Sequence, residues 1–133
     1  MEELAIVLRC MQLYTHNSHN LIKGETFFQD HEFLGELYPV YESAYDGVIE
    51  RMIGLENLQP KKLLMIQTKA MKLLEGISQS QDSEEIFKTL LTCEEEIQSL
   101  CKKIKGSIGT LNMIAQIADD SEVRVYKIKQ KTS

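Results

Sequence analysis

The chain has no tryptophan, two prolines, seven glycines and three cysteines among 133 residues. So little proline and glycine leaves room for long uninterrupted helices. Cys10, Cys93 and Cys101 are odd in number and lack the spacing of metal-binding cysteine pairs, which fits reduced thiols in a cytoplasmic compartment. No apolar run approaches the roughly 20 residues that span a bilayer, and Met1-Glu2-Glu3 lacks the basic start of a secretory signal. Basic side chains are outnumbered 15 to 20, a net charge of -5. That balance argues against tight binding to DNA through its phosphates, leaving weak contact from the lysines near the carboxyl end. What is present is a hydrophobic fraction of 43% with 26% charged residues, which excludes wholesale disorder and suits one domain over residues 1–133.

Apolar residues recur at helical rather than strand spacing throughout. A first helix is expected from Glu2 to about Lys23, stopped by Lys23-Gly24. Thr26 through Gln29 has the form of a capping box and predicts a second helix from Phe27 to near Gly54, antiparallel to the first across a very short turn. Pro60 opens a shorter helix to about Gly76. Asp82, with Glu85 three residues on, predicts the start of a long helix whose stripe continues through Ile104, Ile108 and Leu111 to Ala118. Asp119-Asp120-Ser121 interrupts the pattern, and only a short final segment, Glu122 to Lys129, is expected after it. The architecture is all-α.

All three histidines, His16, His19 and His31, lie in the first hairpin. His19 and His31 are equidistant from Glu25, so their side chains can meet across the turn and form half of a metal site. Asp46 and Glu50 are one turn apart on the second helix and project to about the same side as His31. Asp46 lies about 22 Å along the axis from it and Glu50 a further turn away, both beyond reach within one subunit. A two-fold axis across the middle of this helix brings Asp46 and Glu50 of one copy against His19 and His31 of the other, giving two equivalent sites per dimer. The row Tyr38, Tyr41 and Tyr45 is expected to supply apolar area for that contact.

The set His19, His31, Asp46, Glu50 and Arg51, with the text around it (His16-Asn17-Ser18-His19, Ile22-Lys23-Gly24, Phe27-Phe28, His31-Glu32-Phe33, Glu36-Leu37-Tyr38), resembles the ferroxidase signature of the Dps family of mini-ferritins. The resemblance implies a ferritin-like four-helix bundle with a short extra helix, Pro60 to Gly76, in the connection between helices two and three. It further implies a cytoplasmic homo-oligomer, a dimer at least and commonly a dodecameric shell. Such a shell oxidises Fe(II), stores the Fe(III) product and protects against peroxide. The ligands implied are His19 and His31, with Asp46 and Glu50 from the two-fold mate; two nitrogens and two carboxylates suit this metal. A non-catalytic assembly holding a divalent ion such as zinc is the alternative. Asp119 and Asp120 are candidates for an iron inlet, since rings of carboxylate attract cations.

This sequence departs from the family pattern in four places. Asn20 stands where tryptophan usually follows the first ligand histidine, and Gly35 stands where a supporting aspartate often occurs. Pro39 sits inside the second helix and predicts a bend relieved by Gly35. The interruption after Ala118 predicts a shortened last helix.

Overall fold

The amino-terminal hairpin forms as the spacing requires, and the rest of the chain folds onto it. A computed structural model describes residues 1–133 as five helices: α1 (Glu2–Leu21), α2 (Phe27–Glu56), α3 (Pro60–Glu75), α4 (Ser83–Lys103) and α5 (Ile108–Thr132). The four long helices build a ferritin-like bundle in which α1 packs on α2 and α4, and α4 packs on α5. The short α3 lies against α1 in the connection between the second and third long helices. Twenty-five buried residues make up the core, among them Leu8, Met11, Tyr14, Leu34, Ile66, Phe87, Leu90 and Ile97. No helix is long and apolar enough to cross a membrane.

Local chemistry sets the ends of the helices. α1 stops at Leu21, and Gly24 takes the positive φ of +117° that turns the chain. The Lys23 N–H donates to Gln81 O at 3.2 Å, tying this turn to the segment before α4. α2 runs past Gly54 to Glu56 and stops at Asn57, which adopts the left-handed conformation. It also continues unbroken through Pro39. Pro60 occupies the first position of α3, and the Asp82 carboxylate caps α4 by accepting from Glu85 N at 3.0 Å. The capping box expected at Thr26 does not form. Thr26 Oγ1 instead donates to Asp30 Oδ2 at 2.6 Å, one turn into α2.

Two expectations for the carboxyl-terminal half are corrected. The helix expected from Asp82 to Ala118 is two helices, broken over Ile104 to Ser107, and Ser107 caps α5 by accepting from Thr110 N at 3.3 Å. The interruption expected at Asp119-Asp120-Ser121 is absent, so the last helix is 25 residues long rather than a stub. Asp119 and Asp120 face solvent, while Ser121 is buried against α4. There the Ser121 hydroxyl donates to Glu94 O at 3.2 Å and accepts from Gln98 Nε2 at 3.1 Å. With each polar group either solvated or bonded, nothing in this stretch ends the helix.

Two charged groups tie the bundle together from inside. Glu94 is fully buried and receives Arg124 Nε at 2.6 Å, Arg124 Nη2 at 3.2 Å and the Tyr41 hydroxyl, linking α2, α4 and α5. At the far end Asp30 accepts from Thr26 and Ser83 and pairs with Lys131 Nζ at 3.0 Å. That cluster joins the first turn of α2 to the start of α4 and the last turn of α5.

Candidate metal centre

The two histidines meet across the hairpin as their positions predict, because the tight turn leaves α1 and α2 no freedom to separate there. His19 and His31 are stacked with ring centroids 3.8 Å apart and planes 15° from parallel. Each ring is also bonded to the other residue's backbone. The Nδ1–H of His19 donates to His31 O at 2.7 Å, and the Nδ1–H of His31 donates to His19 O at 2.7 Å. The His19 carbonyl is one of the orphan acceptors in the last turn of α1, so His31 acts as its cap. A carbonyl oxygen only accepts, so both bonds require the proton on Nδ1. In the neutral ring this leaves Nε2 as the lone pair, the form that binds a metal ion. Neither Nε2 carries a hydrogen bond, and neither is sealed from solvent.

An aromatic row extends from this pair in both directions. Phe27 stacks on His31 at 4.9 Å, and beyond His19 lies Tyr38, 5.7 Å away and tilted. Tyr38 in turn stacks on exposed His16 at 4.0 Å with planes 2° apart. The α2 members of the row, Phe27, His31 and Tyr38, share a stripe with Gly35, four and three residues from its neighbours. Gly35 lies directly beneath His19, where a Cβ would sit 2.7 Å from the ring's Cε1. The sequence marked Gly35 only as a departure and a relief for Pro39; its place in a histidine-bearing stripe was the signal of its packing role.

Asp46 and Glu50 are exposed on the distal half of α2. Within the subunit no cluster of three or more His, Cys, Asp or Glu side chains is placed to hold an ion. The histidine pair therefore stands without a third such donor beside it in the subunit. The bundle interior offers no substitute, since its one fully buried glutamate, Glu94, is already neutralised by Arg124. Tyr41 and Tyr45, expected to face a partner, are 0% and 2% exposed and belong to the core. Tyr45 is covered by the Arg9 guanidinium, 3.8 Å over its ring, and accepts from Gln67 Nε2 at 2.6 Å. Tyr38 alone of the three stays half-exposed. Arg51 Nη1 lies 3.5 Å from Gly47 O and pairs with no carboxylate of its own subunit. Asp119 and Asp120 sit on α5, and Asp120 accepts from Gln116 Nε2 at 2.9 Å.

No family model matches the chain, and no solved structure does. Over 117 residues it is 31% identical to the DNA protection during starvation protein of Helicobacter pylori (strain J99), an alignment spanning 84% of this chain and 78% of that relative. Together with four long helices and a short fifth in the middle connection, this likeness along most of both chains makes the protein a member of the Dps family.

Proposed function

We propose that this protein is a ferroxidase of the mini-ferritin type, with Fe(II) as its substrate. Each site takes His19 and His31 from one subunit and Asp46 and Glu50 from its two-fold mate. The observation that carries the reading is the histidine pair: two imidazoles fixed as Nδ1–H tautomers, with both Nε2 lone pairs free and no third ligand in the subunit. Asp46, about 22 Å from His31 along the same rod, and Glu50, one turn beyond it, complete the sphere only through symmetry.

The chemistry follows from the donors. Neutral nitrogens hold Fe(II) without a large charge penalty, and the two carboxylates offset the extra positive charge when it becomes Fe(III). Two Fe(II) ions supply the two electrons that break the O–O bond of one hydrogen peroxide. With water, the products are ferric oxyhydroxide and released protons. Storage of that product requires a closed homo-oligomeric shell, and on this reading Asp119 and Asp120, exposed on α5, would draw cations towards it. DNA binding is weak or absent on this reading, since the net charge is -5 and Lys131 is already committed to Asp30.

Anaerobic addition of Fe(II) followed by peroxide tests the proposal, read by the absorbance of the ferric product and by particle size in solution. An active parent and a silent His31→Ala variant support it. A parent that binds zinc and turns over no iron would establish the alternative, a divalent-ion site without catalysis, which the lack of a carboxylate at Gly35 favours.

A further inference from the structure

We infer that Gly35 is a positioning residue for His19, and that the bare floor it provides is what allows the two histidines to clamp one another. His19 lies with its Cε1 2.7 Å, its Nδ1 3.0 Å and its Nε2 3.6 Å from the place a Cβ at position 35 would occupy. Contacts that short are repulsive, so any side chain there drives the ring away. The ring has nowhere neutral to go. Its outer face is stacked on His31 at 3.8 Å, its Nδ1–H is bonded to His31 O, and Tyr38 borders it at 5.7 Å. Displacing it breaks the Nδ1–carbonyl bond that sets the tautomer and removes the stacking surface that orients His31. Gly35 thus acts on the metal ligands without touching the ion.

The consequence for metal binding rests on the ligand set proposed above; the consequence for the imidazoles does not. It also reverses a simple expectation, in which an aspartate at position 35 adds a ligand. Here its Cβ collides with His19 before its carboxylate can serve.

The experiment compares the assembled parent with Gly35→Ala, Gly35→Asp and, as a control on the same helix, Gly54→Ala, whose new methyl meets nothing within 4 Å. Alanine is a better helix former than glycine, so Gly35→Ala is not expected to unfold α2. Nitrogen-15 spectra of the metal-free proteins report the histidine tautomers, and calorimetric titration with Zn(II) reports affinity. The parent and Gly54→Ala are expected to show the Nδ1–H form at His19 and His31. Both Gly35 variants are expected to lose it at His19 and to bind Zn(II) roughly 10–100-fold more weakly. Unchanged tautomers in Gly35→Ala, or tighter Zn(II) binding by Gly35→Asp, overturn the inference. If the tautomers shift while the parent itself binds no metal, the role of Gly35 stands and the proposed ferroxidase site fails.

Discussion

Arg124 reaches from α5 into the bundle and places Nε 2.6 Å from the carboxylate of Glu94, which has no solvent exposure. Burial opposes the charge on Arg124, but the hydrogen bonds and charge of Glu94 more than offset it. Tyr41 completes the group, and burial first, then the Glu94 charge, push its phenol well above the usual tyrosine range. A pair of this kind is costly to halve, because the surviving ion stays buried without a partner. Glu94→Gln is expected to destabilise the protein by about 3–5 kcal/mol in urea unfolding. Tyr41→Phe, which leaves the ion pair whole, should cost about 1.5–3 kcal/mol. Equal and small losses for both would show that Glu94 is not the tie among three helices described above.

Acid should loosen the opposite end of the bundle. Burial raises the Asp30 carboxyl, but hydrogen bonds from Thr26, Ser83 and Lys131 and the Lys131 charge hold it below the usual carboxylate range. A depressed folded value adds stability above the unfolded value of about 3.9 and forfeits it as pH falls through the lower folded value. Asp30→Asn is therefore expected to be less stable than the parent at pH 7 by about 1.5–3 kcal/mol. The gap should close as pH falls below about 4. A stability gap that stays constant from pH 7 to pH 3 would contradict the assignment.

The cysteines should be inert in the folded protein. Burial pushes Cys10 up to about 12 and Cys93 and Cys101 up to about 11, so the reactive thiolate is scarce at pH 8. Alkylation by iodoacetamide is expected to be slow at all three sites in buffer and fast in denaturant. Rapid labelling of the native protein at Cys93, the least covered of them, would show that α4 opens far more readily than its packing implies.

A shared site has a genetic signature. His31→Ala retains carboxylates to lend, and Asp46→Asn retains nitrogens; each alone should be silent in iron oxidation. Random pairing of the two makes half of the dimers hybrid, and each hybrid has one intact site and one doubly broken site. Co-expression should then restore about a quarter of the parental activity. No recovery from a mixture shown to contain hybrids would place all four ligands in one subunit, or outside the site altogether.

Much of this molecule was legible in its residues, and the failures have physical causes. The hairpin was readable because Lys23-Gly24 and the short turn admit one geometry, and that geometry alone brings His19 to His31. The boundary between α4 and α5 was hidden because Ile104, Ile108 and Leu111 keep helical spacing across it, although Ile108 is 90% exposed. Its true markers are Lys102-Lys103, Gly106 and the capping hydroxyl of Ser107. Tyr41 and Tyr45 were misplaced because a core face and an interface face are equally apolar in sequence. Which member of Glu94-Glu95-Glu96 turns inward is decided by Arg124, a contact that no local pattern announces.

Under the proposed arrangement, splitting the ligands between the two halves of α2 also makes the rate depend on dilution. A solitary chain grips iron with two nitrogens at most, so at scarce concentrations oxidation would rise with the square of the amount of protein, turning linear once pairing saturates. The length of one helix would then serve as a threshold, holding newly made chains idle until enough of them have accumulated to pair.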